Sequence, residues 1–557
     1  MVGSNLTRFL DSLSSKRHVR YLIYSLSVFV FLALILTPPI LGILLKWSLM
    51  GEIFAQPDLM SRAASAIYAS FAIALFVSIV DIVAGLPMAW FIARGKSRWL
   101  SVLDTLADIP FILPTVTLGY SLLLFWSRPE GISSLFGGNS LIAPGWLLII
   151  LLHFAFSYPV VVRVMVGALL DYKMMYEEAS RTLGAAPLTA DRTVTLPILK
   201  PALIAAFVLA FARSISETGA TFIVAGTFVN GEWTGFENGP VFIKNTQKTA
   251  EGSMVFVSFI LIAISCLIYA TIKLLGPRLK IPVKKVWPLT ERRLSGLGVT
   301  ASKNLLTIAI FLMLVLIPSL FVALPAVYAA TGGTLSQALT GSGIWQAYWQ
   351  SLTLSYLLGM VVTLLNIVIG LPMAVLIARK RAGKAASTTL DVLINIPMIV
   401  PSIALGASLG IFWGNFAFVP EILLLIFAHL AITYPYFVRA MAAAIERIDM
   451  DLEEASRILG ARPFAVFRTV ILPLTKYSML SGAIMMFTRS IDETGATLAV
   501  YKTLKTAPVL LVDWIAPTPP VAPMSPLEIS LGAGFLVIFS FGILLILRFI
   551  TKGRGRV

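Results

Sequence analysis

The stretch Glu177-Glu178-Ala179-Ser180-Arg181-Thr182-Leu183-Gly184 returns later in the chain as Glu453-Glu454-Ala455-Ser456-Arg457-Ile458-Leu459-Gly460. A Leu-Pro pair follows each copy at the same distance from its glycine, as Leu196-Pro197 and Leu472-Pro473. An apolar segment then ends in Arg-Ser-Ile-x-Glu-Thr-Gly-Ala-Thr in both places. This shared spacing predicts that the chain consists of two copies of one structural unit.

The composition indicates an all-α polytopic membrane protein. Hydrophobic residues make up 58% of the 557 residues and charged residues only 13%, whereas about a quarter of the residues in a soluble domain are charged. Many apolar runs are long enough to cross a hydrocarbon core of about 30 Å as helices. We predict about twelve transmembrane helices, near residues 21–46, 66–93, 102–126, 146–170, 202–225, 253–275, 305–329, 351–378, 392–413, 422–441, 479–500 and 528–551.

The basic residues indicate the orientation of the chain in the membrane. The net charge is +16, but the lysines and arginines are concentrated in every second loop, which argues against a nucleic-acid-binding patch. The segment 331–350, in a loop of the other set, carries no charged residue. This positive-inside pattern predicts that the basic loops and both termini are cytoplasmic.

The internal repeat covers nearly the whole chain. Gly85-Leu86-Pro87-Met88-Ala89 returns as Gly370-Leu371-Pro372-Met373-Ala374, and His153 returns as His429. Because each half contains an even number of predicted helices, the halves have the same orientation and are related by an axis along the membrane normal. We expect two bundles that enclose a central pathway, with a first repeat of six helices at residues 1–275, a cytoplasmic linker at 276–304 and a second repeat of six helices at 305–557.

The repeated polar segment lies on the cytoplasmic side between the fourth and fifth helices of each half, near residues 171–200 and 446–476. The chain leaves the membrane as a short polar helix, turns at a glycine and returns through the Leu-Pro pair. One such segment could be an ordinary connection. Two with identical spacing indicate a docking element.

These residues resemble the signature loop of the membrane-spanning subunits of ATP-binding-cassette (ABC) importers, Glu-Ala-Ala-x3-Gly-x9-Ile-x-Leu-Pro. This chain matches it twice, with Ser180 and Ser456 at the third position and Val194 and Val470 in place of isoleucine. The resemblance implies the type I importer fold in a fused double permease. It also implies that each loop forms a coupling helix on a cytoplasmic ATPase, through Glu178, Ala179, Gly184, Leu196, Pro197, Glu454, Ala455, Gly460, Leu472 and Pro473.

The expected partners follow from the same resemblance: two cytoplasmic ABC ATPase subunits and an extracytoplasmic solute-binding protein, which would dock on loops 226–252 and 501–526. The nearest approach to a nucleotide-binding loop is Gly95-Lys96-Ser97, but residue 90 is Trp where that motif needs glycine. We therefore expect a transport subunit without catalytic residues, metal or cofactor of its own. ATP and Mg²⁺ would bind to the partner ATPases.

A second repeated group of polar residues lies within the membrane, at the end of the fifth helix of each half. Charges at this depth are costly, so they should pair or face the interior of the bundle. Within each helix an Arg and a Glu are four residues apart and could pair structurally. Alternatively they line the pathway, with Gly219 and Gly495 allowing close approach or a bend. The candidate pathway residues are Arg213, Ser214, Glu217, Thr218, Thr221, Arg489, Ser490, Glu493, Thr494 and Thr497.

The sequence does not identify the transported solute. The Glu-x-Gly-Ala-Thr segment resembles molybdate and sulfate permeases, which usually read Gly-Glu-Phe-Gly-Ala-Thr, whereas this chain has Ser216 or Asp492 before the glutamate and threonine after it. The fused double format is more familiar from ferric-iron and thiamine permeases. We therefore expect a small hydrophilic solute, either an inorganic ion (a molybdate-, tungstate- or sulfate-like oxyanion, or ferric iron) or, as an alternative, thiamine or another small organic solute.

Two other classes of protein share part of this pattern. A secondary transporter with two parallel repeats explains the duplication but not the paired docking loops. An intramembrane serine protease is suggested by Gly406-Ala407-Ser408-Leu409-Gly410 with His429 on the next helix. The equivalent segment of the first half, Gly119-Tyr120-Ser121-Leu122-Leu123, lacks the second glycine, which favours small residues for helix packing.

Overall fold

The computed structural model describes residues 2–95, 97, 99–137, 140–229, 232–278, 287–331, 333–517 and 524–552. Within these residues the regular structure is helical apart from one antiparallel hairpin of β1 (Gly226–Val229) and β2 (Glu232–Gly235), in agreement with the predicted all-α class. The α-helices of the first half are α1 (Val2–Ser15), α2 (Arg17–Val30), α3 (Thr37–Leu45), α4 (Pro57–Arg94), α5 (Trp99–Leu106), α6 (Ile109–Ile112), α7 (Thr115–Ser127), α8 (Trp146–Asp171), α9 (Met175–Thr182), α10 (Pro187–Ala190), α11 (Leu196–Ser216), α12 (Gly219–Ala225), α13 (Gly239–Thr246) and α14 (Glu251–Leu275).

The linker and second half repeat this order. Their α-helices are α15 (Pro288–Leu294), α16 (Leu297–Ile310), α17 (Ile317–Leu320), α18 (Ala323–Thr331), α19 (Thr334–Thr340), α20 (Ile344–Ala378), α21 (Lys384–Ile394), α22 (Ile396–Ile399), α23 (Ser402–Gly414), α24 (Glu421–Glu446), α25 (Met450–Ile458), α26 (Pro463–Val466), α27 (Leu472–Ile491), α28 (Gly495–Val500), α29 (Ala507–Ile515) and α30 (Pro526–Lys552). Short 3₁₀ helices lie at Trp47–Ala55, Ile132–Phe136 and Gly276–Arg278.

Wide helical turns let several helices continue past a proline. Proline has no N–H to donate and its ring clashes with the preceding turn, which strains, kinks or breaks an α-helix. In this protein a π-helical turn ends two residues before the proline and relieves the clash. These turns are Phe31–Leu36, Asp191–Thr195, Phe311–Leu316 and Phe467–Ile471, before Pro38, Pro197, Pro318 and Pro473.

The docking loops are consequently shorter than expected. Pro187–Ser216 and Pro463–Ile491 form continuous helical segments of 30 and 29 residues that are apolar enough to cross a membrane. Residues 187–200 and 463–476, which were assigned to the loops near 171–200 and 446–476, therefore belong to these helices. Each Leu-Pro pair lies inside a helical segment.

In the part of the chain that the structure describes, ten helical segments are long and apolar enough to span a membrane. An eleventh, Lys384–Ile399 with Ser402–Gly414, is bent by 103°. The ten are Arg17–Leu45, Pro57–Arg94, Trp146–Asp171, Pro187–Ser216, Glu251–Ile272, Gly298–Thr331, Ile344–Ala378, Glu421–Glu446, Pro463–Ile491 and Pro526–Ile543. These segments bear out the polytopic class with about the predicted number of helices, although the predicted third and ninth helices are interrupted.

Prolines break the third and ninth spans. The residue before a proline is driven out of the helical region, and Leu113 and Val400, each followed by proline, have extended backbones with ψ of 135° and 137°. The helices that follow, α7 and α23, have 13 residues each. At about 1.5 Å per residue they reach about 20 Å, too short for a core of about 30 Å. Neither helix is therefore long enough to cross the membrane by itself.

The two halves exchange their first helices, an arrangement that the internal repeat did not indicate. In the first half, the hydroxyl of Ser27 donates to the carbonyl of Ile369, and Phe31 stacks on Tyr434 with ring centroids 5.4 Å apart. The second half does the reverse, because Phe311 stacks on Tyr158 with centroids 6.1 Å apart. Each half therefore packs its first helix against the other half, and the two form one unit.

The short helices before these exchanged helices hold the base of the docking loops in the same crossed way. The amide of Leu188 in the first half donates to the Ser295 hydroxyl beside α15, at 3.1 Å. In the second half the amide of Phe464 donates to the Ser14 hydroxyl of α1, also at 3.1 Å. Arg192 additionally pairs with the buried Glu291 of α15 at 2.6 Å. The N-terminal helix, the linker helix and both docking loops thus meet at one end of the bundle.

Thiol labelling would test which side of the membrane this end faces. Cysteines introduced for Leu183 and Leu459, which are 89% and 88% exposed, should react with a membrane-impermeant reagent only in inverted vesicles. Cysteines for Leu135 and Leu339, at the opposite end, should react in intact cells. Cys266→Ala provides the background without a native thiol. Labelling of position 183 in intact cells would contradict the predicted cytoplasmic orientation.

Candidate coupling surface and membrane pathway

The repeated polar segments form two short helices, α9 and α25, which we call the coupling helices. In α25 the buried carboxylate of Glu453 pairs with Arg379 at 2.8 Å and with Arg457 at 3.2 Å. The first-half equivalents of this arginine–glutamate–arginine group are Arg94, Glu177 and Arg181, with distances of 3.0 and 3.2 Å. Because the first arginine of each group ends α4 or lies just after α20, the group ties the coupling helix to the second long helix of its own half.

Sequence reasoning missed these buried glutamates. It selected Glu178 and Glu454, the second glutamate of each Glu-Glu pair, which lie on the exposed face. The signal that could have revealed the first glutamate is the arginine four residues later, on the same helical face.

The predicted coupling residues lie where a partner could reach them. Gly184 and Gly460 have φ of +91° and +86°, the left-handed conformation expected for a glycine that ends a helix. The preceding residues, Leu183 and Leu459, are almost fully exposed. Glu178, Ala179, Glu454, Ala455 and Pro473 are exposed as well, whereas Leu196, Pro197 and Leu472 are half-buried. Two protruding apolar tips flanked by carboxylates thus mark this end of the bundle.

The pathway candidates surround breaks in the fifth and eleventh spans. Helix α11 ends at Ser216 and α12 starts at Gly219, while α27 ends at Ile491 and α28 starts at Gly495. A Cβ added to Gly219 would lie 2.6 Å from the Cβ of Thr494, and one added to Gly495 would lie 2.8 Å from that of Thr218. At this point a glycine of each half therefore packs against a threonine of the other half, which agrees with the predicted close approach of the helices.

Each glutamate of this group satisfies the start of a half-helix. Glu217 accepts the amide N–H of Ala220 at 3.0 Å, and Glu493 accepts that of Ala496 at 2.9 Å. Glu493 also pairs with Arg489 at 2.7 Å, which is the predicted structural pairing. This ion pair forms although helix α27 ends at Ile491, between Arg489 and Glu493.

The two arginines line one small cavity although they come from different halves. Its volume is about 50 Å³, and Tyr436, Thr488 and Asp492 are also in its wall. The Arg213 guanidinium lies 3.7 Å from the ring centroid of Phe156 and donates from Nε to the Phe156 carbonyl at 3.0 Å. A cavity with two guanidinium groups in its wall can attract an anion.

Four hydroxyl candidates bond to histidines instead of facing the cavity. His153 contacts Ser214 at 2.8 Å and Thr221 at 2.9 Å, one through each ring nitrogen. The equivalent His429 contacts Ser490 at 2.8 Å and Thr497 at 2.9 Å. Each histidine therefore bridges the break from a neighbouring helix. That these hydroxyls line the pathway stays a prediction.

The Gly-x-Ser-x-Gly segment of α23 serves helix packing. A Cβ on Gly406 would lie 2.5 Å from the Cα of Ala496, and one on Gly410 would lie 3.3 Å from Val500. The Ser408 hydroxyl donates to the Ala404 carbonyl one turn earlier. Since His429 is bonded elsewhere, the geometry does not support a serine nucleophile.

The opposite end of the bundle carries the loops expected to meet a binding protein. Lys244 of α13 lies 5.6 Å from the ring centroid of Tyr501, so residues from both halves meet there. Burial lowers the pKa of Lys244 to about 8. Nearby, Lys505 pairs with Asp513 at 2.8 Å. Parts of these expected loops, residues 230–231 and 518–523, lie outside the described residues.

Permease proteins of sulfate and molybdenum transport systems are similar in sequence to this chain. The sulfate transport system permease protein CysT of Salmonella typhimurium is 32% identical over 206 residues, which cover 35% of this chain and 72% of that protein. The molybdenum transport system permease protein ModB of Escherichia coli is 36% identical over 150 residues, 26% of this chain and 63% of that protein. The sulfate transport system permease protein CysW of Escherichia coli is 34% identical over 179 residues, 32% of this chain and 60% of that protein.

The family match covers most of both halves. Residues 82–281 and, separately, 366–551 match the family described as "Binding-protein-dependent transport system inner membrane component". The two matches coincide with the internal repeat and with the repeated order of helices. The chain therefore belongs to this family, as a fused permease that carries the family's domain twice.

Proposed function

We propose that this chain is the membrane-spanning permease subunit of an ATP-driven importer for a tetrahedral oxyanion of the sulfate or molybdate type. The observation that carries the proposal is the pair of coupling helices, whose exposed Leu183 and Leu459 tips lie at one end of the bundle. The solute class rests on the similarity to the sulfate and molybdenum permeases and on Arg213 and Arg489 in the wall of one cavity.

The proposal implies an asymmetric set of partners across the membrane. Two cytoplasmic ATPase subunits, which bind ATP and Mg²⁺, dock on α9 and α25. A solute-binding protein docks on the opposite face. Both termini are cytoplasmic, as the positive-inside pattern predicts. The first repeat comprises residues 1–275 and the second 305–557, joined by the linker at 276–304.

The arginine–glutamate–arginine groups give coupling a mechanical basis. Each group joins a coupling helix to α4 or α20, so a displacement of the coupling helix is passed to a long membrane helix. The second-half pair is the better buried one, since the Arg379 and Glu453 side chains are 4% and 2% exposed. The Arg94 and Glu177 side chains are 20% and 5% exposed.

Uptake by cells that lack their own sulfate and molybdate permeases tests the solute class. With its partner subunits, the chain should take up radiolabelled sulfate or molybdate, and collapse of ion gradients at constant ATP should not stop the uptake. Arg213→Gln together with Arg489→Gln should lower uptake more than about tenfold, equal to about 1.4 kcal/mol, while the two Arg→Lys changes should be milder. Uptake of ferric iron or thiamine, with neither oxyanion transported, would overturn the solute assignment.

Charge reversal at the coupling surface tests the docking of the ATPases. Glu178→Arg combined with Glu454→Arg should abolish ATPase association and transport, because both exposed carboxylates would become like charges toward a basic partner surface. Each single variant should be milder, since the other site remains. Glu130→Arg, an exposed change at the other end of the bundle, is the matched control for co-purification. Normal ATPase recruitment by the double variant would remove the coupling assignment.

Breaking a buried pair tests transmission of the motion. Glu453→Gln leaves the Arg379 charge buried without its partner, which costs about 3–5 kcal/mol in typical cases. We expect ATPase binding to persist while the solute transported per ATP falls. Glu177→Gln should have the smaller effect because its pair is more exposed. Exchanging the charges, as Arg379→Glu with Glu453→Arg, should restore part of the coupling, and full coupling in Glu453→Gln would contradict this role.

A further inference from the structure

Beside the cavity, the two halves differ in charge at the residue before the repeated glutamate. The residue before the repeated glutamate is Ser216 in the first half and Asp492 in the second. The Asp492 carboxylate accepts the backbone N–H of Thr115, the first residue of α7. In the other half Ser402 begins α23, and its hydroxyl donates to the Ser216 carbonyl at 3.4 Å. A carboxylate thus covers the start of one half-helix, and a neutral carbonyl lies at the other.

This carboxylate lies among the groups that an incoming anion would use. Asp492 is in the wall of the same cavity as Arg213 and Arg489. The start of a helix presents free N–H groups and partial positive charge, both of which favour anions. The Thr115 amide, which Asp492 already accepts, and the two guanidinium groups in the same wall are therefore the donors nearest to an incoming anion.

The other two carboxylates of the region have different tasks. Glu217 and Glu493 accept amide bonds at the starts of α12 and α28, and neither is in the cavity wall. Of these three carboxylates, Asp492 is the one that faces the cavity. Replacing it with a neutral residue would leave two guanidinium groups and a free amide.

We propose that Asp492 is a resident counter-anion of the pathway, which the transported oxyanion displaces from the Thr115 amide beside the two arginines. The inference rests on the proposed oxyanion function. Conduction requires a site that binds its ion weakly enough to release it. Competition by a tethered carboxylate provides this weakness, and Asp492 therefore determines how tightly the permease holds its solute.

Direct binding to the full-length chain in lipid nanodiscs tests the inference, with radiolabelled sulfate and molybdate in equilibrium dialysis. Asp492→Asn removes the charge and nearly preserves the shape, so the affinity for at least one oxyanion should rise about tenfold or more over wild type. Asp492→Ser, the residue of the first half, should do the same. Asp492→Glu keeps the charge and should not give this gain. The matched control Ser216→Ala, at the equivalent neutral position, should bind as wild type does.

Two further measurements make the outcome decisive. Adding Arg489→Gln to Asp492→Asn should abolish the gained binding, which locates it in the cavity. In the assembled transporter Asp492→Asn should slow maximal uptake, because release becomes slower. If neither Asp492→Asn nor Asp492→Ser binds oxyanion more tightly than wild type, the counter-anion role is overturned. The uptake assay on the wild type would still decide the proposed function separately.

Discussion

A break in a helix inside a bilayer leaves backbone N–H and C=O groups that no water can satisfy, and this constraint governs the centre of the protein. Four half-helices begin there, α7, α12, α23 and α28. Asp492, Glu217 and Glu493 accept amide bonds at three of these starts. Polar groups at this depth are therefore required by the backbone before any role in transport is considered. Their charges in turn require the buried arginines.

The exchanged first helices follow from the short half-helices. Since α7 and α23 do not cross the membrane, each leaves a gap on its own half that another helix must cover. The Ser121 hydroxyl of α7 donates to the Pro318 carbonyl of α17 at 2.7 Å, which shows the second half covering the first. The first half covers the second in the same way, because Gly42 of α3 packs so closely on the Ser408 backbone of α23 that a Cβ would not fit. The duplicated chain thus closes as one body.

The internal repeat and the turns within each motif could be predicted from the sequence. Contacts between residues far apart in the chain could not. The left-handed turns at Gly184 and Gly460 and the break at Gly219 follow from residues in the motif itself. Asp492 and Thr115 are 377 positions apart, and no pattern indicates their contact. The breaks of the third and ninth spans at Pro114 and Pro401 were not predicted, because hydropathy shows a single apolar run at each place. The exchange of the first helices leaves no trace in periodicity, since a lipid-facing and a partner-facing helix are equally apolar.

One continuous element connects the two regions of interest. The helical segment Pro187–Ser216 has 30 residues, about 45 Å at about 1.5 Å per residue, and runs from the docking loop to the central break. Its start is held by Ser295 of the linker region, and Arg213 lies near its end. Beyond the break, Gly219 packs against Thr494 of the other half without room for a side chain. A tilt of this segment that is passed along its length would therefore shift the arginine or separate the glycine–threonine contact. The same movement would alter the cavity that both halves enclose.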